Sequence, residues 1–413
     1  METALNFSEF KKNNLDEWKM YIKKELGEKP FDSLIWEFAQ DLSIDPYFEN
    51  AEYVLNVVEK KTTGWEIAES FMVTDEKETN AHMLKSLEGG INAIQLIFPS
   101  PNHVNFDVLF RGVFIQYISI SFSGEGLTAP LLEQFKSYVE STDLSFEKVQ
   151  FSAPNVPSAS LDYPIIVDAS IVQERGGSAI DQVVYALLKG NEFLESSSSP
   201  NDITLHFQFA TDPSYFIEIA RIRVFRTLWQ MIEKAHAVKK DTPKVYSVSS
   251  AFFQTIPDRH TNMLRATTQA MSAIIGGTDR LEVIGFESAL TKNSSESRRW
   301  ARNIQHLLLE ESYFEKAAQA TKGAYYIENL TLSMAGQAWD LFQYYCISAI
   351  DNNPEWTNRL QENLDKQRAA IESGSRIMVG LNKYPNKMET LTSVVGTSNR
   401  LAVSIEQKME EKA

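Results

Sequence analysis

The stretch VDASIVQERGG, residues 167–177, is where the sequence brings side chains to a position suited to chemistry. An apolar, strand-like run ends here, and a polar turn precedes the helical pattern that begins near Asp181. In a barrel of alternating strands and helices, catalytic residues stand at this kind of strand end. Ser170 and Ile171 occupy the position. These two side chains offer little chemistry, which raises the question of what the position is for.

Other reactive side chains are scattered along the chain. His206 alternates with Gln208 on one strand face, and a hydrogen-bonded interior histidine is favoured because no second ligand at metal spacing accompanies it. His103 is interpreted as a loop residue. Glu174 and Glu192 fall near the expected barrel mouth without a partner carboxylate at defined spacing, so structural or solvated roles are expected for both.

The charge pattern excludes some classes of ligand. A net charge of −15 and a pI near 5 argue against a nucleic-acid binder, which needs a basic face. One basic cluster, Arg221, Arg223 and Arg226, falls on a helix, and at about 100° per residue it forms no single tight patch. We expect these arginines to line a solvated or interface face. The glycine pairs lack the dinucleotide and P-loop patterns, so no phosphate cradle is predicted from them.

The elements that must position these residues alternate between strands and helices, which is typical of βα units around a parallel sheet. Eight strands are predicted: Trp65–Val73, Ala93–Phe98, Phe114–Ile120, Lys148–Ser152, Pro164–Ala169, Thr204–Phe209, Lys244–Val248 and Leu281–Ile284. Helical spacing is clearest at Ala81–Leu87, Ala129–Val139, Ala179–Leu194, Tyr215–Ala237 and Thr261–Ile275. The predicted fold class is α/β, a (β/α)8 TIM-type barrel. It is partly degenerate, because residues 152–164 should hold a helix and their Pro, Ser and Asn content cannot sustain one.

Three regions are predicted along the 413 residues. Residues 1–60 form an N-terminal arm of helical character, 61–285 the barrel, and 286–413 a helical extension and tail that wraps the barrel or meets a partner. On the late helix, Trp339, Phe342, Tyr344 and Tyr345 favour core packing, with a subunit interface as the alternative. The single cysteine, the absence of a leader pattern and the lack of an apolar run of about 18 residues lead us to expect a cytoplasmic protein that spans no membrane.

Five ordered segments carry a distinctive pattern: FIEIARIRVFRTLW at 216–229, TNMLRATTQAMSAIIGGTDRLEV at 261–283, RRWARNIQHLLLEES at 298–312, GAYYIENLT at 323–331 and GSRIMVGLNKY at 374–384. Together they resemble the methylmalonyl-CoA mutase family of adenosylcobalamin-dependent isomerases. Fainter matches extend the resemblance back to about residue 44.

The resemblance also addresses the opening stretch. The family reads S-G-Y-H-M-Q-E-A-G-A there, with the histidine acting as acid and hydrogen-bond donor to the substrate carbonyl. Ile171 stands at the place of the histidine and Ser170 at the place of the tyrosine. An alkyl group donates no proton, and a positioned acid or base is worth about 100- to 10,000-fold in rate. The resemblance therefore implies no catalytic residue in this chain. We expect the Ile171 side chain to be packed, so that truncating it would leave a cavity.

Further departures from the family agree with this interpretation. The family's tyrosine loop before the first barrel strand is missing, and SAPNVPSASLDYP stands where a G-T-x-x-N-D-I-L-K-E segment and a substrate-binding arginine are expected. The cobalamin motif D-x-H-x-x-G is met only as far as Asp258 and His260, with Met263 at the glycine position. The resemblance thus implies no cobalamin-binding domain and no cofactor or metal held by this chain.

The resulting hypothesis is a small, non-catalytic subunit of a heterodimeric methylmalonyl-CoA mutase. Its partner would be the large catalytic subunit, which would hold adenosylcobalamin and interconvert methylmalonyl-CoA and succinyl-CoA. Two alternatives remain open. The chain could be the substrate-binding barrel of a split acyl-CoA mutase, or a non-catalytic acyl-CoA-binding protein.

Overall fold

The computed structural model describes residues 9, 14–38, 42–51, 60, 63–142, 149–151, 163–239, 242–289, 294–317, 320–347, 350–386 and 400–410. Most of the segment 152–164, where a barrel helix was predicted to be missing, lies outside these residues. The predicted tail also lies largely outside them.

The centre of the fold is a closed barrel of eight parallel strands, which confirms the predicted TIM-type class. Around the barrel the strands follow the order β10-β3-β4-β5-β6-β7-β8-β9, so that sequence neighbours pair and the last strand closes on the first. The barrel strands are β3 Glu66–Met72, β4 Ala93–Ile97, β5 Ser119–Ser123, β6 Val149–Phe151, β7 Ile165–Asp168, β8 Leu205–Thr211, β9 Val245–Ser249 and β10 Arg280–Glu282.

Seven of the predicted strands coincide with observed strands to within a few residues, and the third was misplaced. Strand β5 begins at Ser119, and the apolar run before it forms the 3₁₀ turn Ile115–Tyr117 instead. Phe114 and Tyr117 in this run are 68% and 73% exposed. Their hydrophobic character suggested a buried strand, and the chain instead places both rings at the surface.

Helices alternate with the strands and continue after the barrel closes. The helices are α1 Leu15–Leu26, α2 Glu76–Glu88, α3 Phe106–Leu109, α4 Ala129–Thr142, α5 Ser170–Glu174, α6 Ala179–Ser196, α7 Tyr215–Ala235, α8 Thr261–Gly276, α9 Ser295–His306, α10 Tyr325–Tyr345, α11 Pro354–Glu372 and α12 Val403–Glu410. Within the described part of the chain, no helix combines the length and apolar character needed to cross a membrane.

Local signals explain where the helices begin and end. Helix α6 starts at a capping box in which the side chains of Ser178 and Asp181 each accept from the other's backbone N–H. Helix α8 ends at Gly277, whose φ of 94° lies in the left-handed region that glycine adopts without strain. Both boundaries agree with the sequence prediction.

The N-terminal arm contains α1 and also a feature that its helical character did not predict. Strands β1 Trp36–Phe38 and β2 Leu42–Ile44 pair antiparallel. Leu42 and Ile44 of β2 are buried in the same core cluster as α10.

The core falls into three clusters. One joins β7, β8 and the start of β9 to helices α6, α7 and α10, and a second joins β3–β6 and β10 to α2–α4 and α8. A third, smaller cluster joins Phe252 and Phe253, which follow β9, to α11 and to Leu401 and Ala402. The described part of the predicted helical extension therefore packs on the barrel.

Candidate active site at the barrel mouth

The end of β7 places Ser170 at the barrel mouth, in contact with a carboxylate. Asp168 Oδ1 accepts hydrogen bonds from Ser170 N at 2.9 Å and from Ser170 Oγ at 2.5 Å. Burial raises the pKa of Asp168, and the hydrogen bonds from Ser170 oppose that rise. Among the described residues, no imidazole bonds to Ser170 or Asp168. The serine hydroxyl is thus held by a neighbouring acid in a local turn and is not activated by a histidine base.

Ile171 lies in the first turn of α5 and is 41% exposed. The expectation that it is packed in the core was wrong. Strand β7 ends at Asp168, before Ile171 is reached. At Ile171 the chain has therefore already turned away from the barrel interior. Truncating this side chain would leave no internal cavity.

A second carboxyl group, Glu174 at the end of α5, lies close enough to Asp168 to feel its charge. Burial, followed by the charge of Asp168, raises the pKa of Glu174. Both carboxyl groups beside β7 therefore have a pKa above the ordinary value, although the Glu174 side chain is exposed at the surface.

The lower half of the barrel interior holds a hydrogen-bonded network around Arg280. Its Nε donates to Glu66 Oε2 at 2.8 Å, and its guanidinium carbon lies 4.2 Å from the centroid of the Tyr246 ring. Ser119 Oγ also donates to Glu66, at 2.6 Å, and Tyr246 Oη donates to Gln150 Oε1 at 2.6 Å. Five strands contribute to this layer, and its side chains bond mainly to one another.

A second layer lies above the first. Glu282 accepts hydrogen bonds from Ser70 N at 2.9 Å and from Ser70 Oγ at 2.6 Å. Gln95 Nε2 donates to Ser123 Oγ at 3.1 Å. Burial raises the pKa of Glu282. Hydrogen bonds across the interior thus occupy groups that a ligand lying along the barrel axis would have to displace.

His206 is an interior histidine, as predicted. Its Nδ1 accepts from the backbone N–H of Lys244 at 3.2 Å, and its ring lies 5.7 Å from that of Tyr246. Burial lowers its pKa to about 3, so the ring is neutral at physiological pH. His103 lies exposed in a loop, and Glu192 is an exposed partner of Lys189, as expected.

The three arginines of α7 do not form a solvated face, so that prediction was wrong. Arg221 pairs with Glu218 on the same helix, and both side chains are fully buried. Arg223 Nη2 lies 2.6 Å from Glu328 Oε2 on α10, and the Arg226 guanidinium lies 2.7 Å from Asp279. Two of the acidic partners come from distant parts of the chain, which explains why the local pattern did not reveal them.

His260, the histidine of the partial D-x-H match, has an exposed side chain. Its ring lies 5.1 Å from Phe286 and 6.5 Å from Trp300, at the start of α8. In the described ranges, no group of three or more His, Cys, Asp or Glu side chains is arranged to hold a metal ion. On the late helix, Phe342 and Tyr345 are buried as predicted, whereas Tyr344 is 59% exposed.

Asp168, the partner of Ser170, was not among the predicted site residues. An aspartate two residues before a serine at a strand end is a signal for this kind of local turn. Glu282 and the two-layer network were not predicted either, because strands far apart in sequence bring those residues together.

Fold and site together define a (β/α)8 barrel protein in which, over the described ranges, no histidine bonds to Ser170 or Asp168 beside β7. The family described as methylmalonyl-CoA mutase matches residues 134–411, about two thirds of the chain, and the chain belongs to that family.

Relatives match over nearly the whole chain. The methylmalonyl-CoA mutase small subunit of Porphyromonas gingivalis is 26% identical, over 96% of this chain and 73% of its own length. The methylmalonyl-CoA mutase of Cereibacter sphaeroides is 23% identical over 94% and 66%, and the mitochondrial enzyme of Homo sapiens is 24% identical over 96% and 64%. The chain thus spans about two thirds to three quarters of the length of these relatives.

Proposed function

We propose that the chain is the small, non-catalytic subunit of a heterodimeric methylmalonyl-CoA mutase. A relative that bears the name of a small subunit matches over 96% of this chain, which supports this assignment. In this proposal the large subunit interconverts methylmalonyl-CoA and succinyl-CoA, and this chain stabilises the assembly.

The observation that carries the proposal is the chemistry at the end of β7. Ser170 and Ile171 occupy the positions at which the family resemblance puts a tyrosine and a histidine. Ile171 has no proton to give, and the Ser170 hydroxyl already donates to Asp168. The position that the resemblance assigns to the histidine therefore carries an alkyl group, and a positioned acid or base contributes about 100- to 10,000-fold in rate.

The hydrogen-bonded network in the barrel interior supports the same function. Arg280, Glu66, Tyr246 and Gln150 bond or pack against one another across the lower barrel. Opening a path through this layer would break buried hydrogen bonds to charged groups, each worth about 1.5–3 kcal/mol. The arrangement favours a stable scaffold over a binding channel, and it disfavours the acyl-CoA-binding alternative.

The cofactor belongs to the partner in this proposal. Adenosylcobalamin would supply the radical chemistry within the large subunit. The cobalamin motif is met only in part at His260, because Met263 stands at the glycine position of the family's motif. All steps of the rearrangement are therefore assigned to the partner chain.

The test is purification of the chain alone and together with the large subunit. We expect the isolated chain to retain no cobalamin after gel filtration and to show no isomerase activity. The two chains together should elute as one complex with a raised melting temperature, because a partner that binds only the folded chain stabilises it. A coloured, stoichiometric cobalamin complex of this chain alone would contradict the proposal. Activity on mixing it with a small cobalamin-binding protein would favour a split mutase instead.

A further inference from the structure

A cavity of about 430 Å³ opens on the side of the barrel away from Ser170 and Ile171. It lies between α2 and α9 at the carboxyl ends of β3 and β4, where Met72 and Ile97 form part of its lining. Strand β3 stands four places from β7 in the closed barrel order. The cavity is thus separate from the candidate site at the end of β7.

Hydrogen-bond donors and cations dominate the polar lining of this cavity. Lys85 and His82 reach it from α2, and Arg298 and Arg302 reach it from α9. Lys85 Nζ donates to Ser295 Oγ at 2.8 Å and so connects the two helices. Nitrogen donors of this kind recognise the oxygen atoms of an anion.

Arg298 is the side chain best placed to bind a ligand. Its Nη1 donates to Glu69 Oε1 at 2.6 Å, and its guanidinium carbon lies 5.1 Å from the centroid of the Phe71 ring. These contacts fix the plane of the group. Its remaining N–H groups donate to no other residue in the described part of the chain, and the side chain is 24% exposed. A fixed guanidinium with spare donors is suited to bidentate binding of a tetrahedral oxyanion.

The charged side chains that line the cavity include more cations than anions, which favours binding of an anion. Glu69 is shared between Arg298 and Arg302, at 2.6 Å and 2.8 Å, so this cluster keeps one positive charge. Lys85 adds a second. Glu78 on the cavity wall opposes them with one negative charge. Glu282 lies just below the cavity, where it is bonded to Ser70 of the cavity wall and burial raises its pKa.

The backbone of α9 adds to the positive electrostatic potential in the cavity. Helix α9 is 12 residues long and begins at Ser295, a lining residue, so its N-terminal N–H groups lie beside the cavity. The helix follows the last barrel strand. In TIM barrels phosphate groups are frequently bound by the loops after the last two strands together with a helix N-terminus.

We propose that this cavity binds a phosphate-type oxyanion, either inorganic phosphate or the phosphate group of a small phosphomonoester, with Arg298 and Lys85 as its main ligands. The proposal is independent of the assignment as a small subunit, since it concerns a separate face of the barrel.

The test is calorimetric titration of the purified full chain with inorganic phosphate and with glycerol 3-phosphate at fixed ionic strength. Arg298→Gln is expected to raise Kd about tenfold or more, because it removes a charge-assisted hydrogen bond. Arg299→Gln is the matched control, since Arg299 is an exposed neighbour on the same helix that does not line the cavity. It should leave Kd unchanged. Tighter binding of glycerol 3-phosphate identifies the ester as the ligand, and equal or weaker binding identifies free phosphate.

A second variant keeps the proposal testable if Arg298→Gln folds poorly. Lys85 is exposed and takes no part in the Glu69 cluster, so Lys85→Gln should fold normally and raise Kd about threefold or more. Absence of binding of both ligands at about 10 mM would overturn the proposal, since that concentration detects even millimolar affinity. An equal Kd in wild type, Lys85→Gln and Arg299→Gln would overturn it as well.

Discussion

The contact between α7 and α10 and the mouth beside β7 both contain buried or half-buried carboxyl groups, but these groups have different partners. Between the helices, Glu328 is fully buried and pairs with Arg223 at 2.6 Å. At the mouth, the donors to Asp168 within the described residues are uncharged and include Ser170. The segments that carry the family resemblance, 216–229 and 323–331, supply the first contact. The segment that departs from the family supplies the second. The first contact lies in segments that carry the family resemblance, and the proposed non-catalytic role concerns only the second.

The largest expected effect is at the helix contact. Glu328→Ala should lower the free energy of unfolding by about 3–5 kcal/mol, because it leaves the buried Arg223 guanidinium without its partner. Glu328 also accepts from the backbone N–H of Gly323 at 2.9 Å, which adds to the loss. Urea unfolding measures this, with Glu125→Ala as an exposed control that should cost under about 0.5 kcal/mol. Equal losses in the two variants would show that the helix contact does not stabilise the fold.

The barrel interior should make the protein sensitive to acid. The folded pKa of His206 is about 3 and its ordinary value is 6.5, so below pH 6.5 the unfolded chain binds a proton that the folded chain refuses. The stability due to neutral His206 is therefore present above pH 6.5 and is lost as the pH falls toward 3. His206→Gln should lose less stability between about pH 7 and pH 4.5 than the wild type does. Equal losses in urea midpoint would contradict a buried neutral imidazole.

Glu233 on α7 should change the stability with pH in the opposite direction from His206, and by a smaller amount. Burial raises its pKa to about 7 from the ordinary 4.5, so the folded chain holds a proton there that the unfolded chain releases. This stabilising contribution is complete below pH 4.5 and is lost as the pH rises through 7. Glu233→Gln should raise the melting temperature at about pH 8 and change it little at about pH 5. The reverse order of the two shifts would show that the carboxyl group is stabilised as an anion.

The smallest effect is expected at the mouth. Ile171→Ala should lower the free energy of unfolding by less than about 1 kcal/mol, because the side chain is already 41% exposed. Ile165→Ala is the matched comparison, since Ile165 on the preceding strand is 2% exposed and its truncation leaves a core cavity costing about 2–5 kcal/mol. If both variants lose several kcal/mol, Ile171 is packed after all.

The barrel was predicted well from the sequence because the signals for its strands and helix ends lie within short segments of the chain. Alternation of apolar runs located β3, β4 and β6–β10, and a glycine pair located the end of α8. The misplaced strand at Phe114–Ile120 shows where this evidence fails, since an exposed aromatic turn has the same composition as a buried strand. The prediction for the α7 arginines was wrong for another reason. Arg223 and Arg226 pair with Glu328 and Asp279, which lie 105 and 53 residues farther along the chain.

The candidate site was only partly predictable. The comparison with the family motif identified Ser170 and Ile171, and the structure puts both directly after β7. The exposure of Ile171 depends on the point at which the chain leaves the strand, and the α2–α9 cavity depends on two helices about 200 residues apart. Neither feature has a signal within a short window of sequence.

The most direct test of the non-catalytic assignment is turnover per bound cobalamin in the complex with the large subunit. Wild type, Ser170→Ala and Ile171→Ala would be assembled with the same large subunit, and intact complexes would be isolated by gel filtration before the assay. We expect the three ratios to agree, because neither side chain meets the substrate in this account. A fall of about 100-fold or more in either variant, with the complex intact, is what the loss of an acid–base group produces. That result would show that a residue of this barrel takes part in the reaction, and it would contradict the non-catalytic assignment.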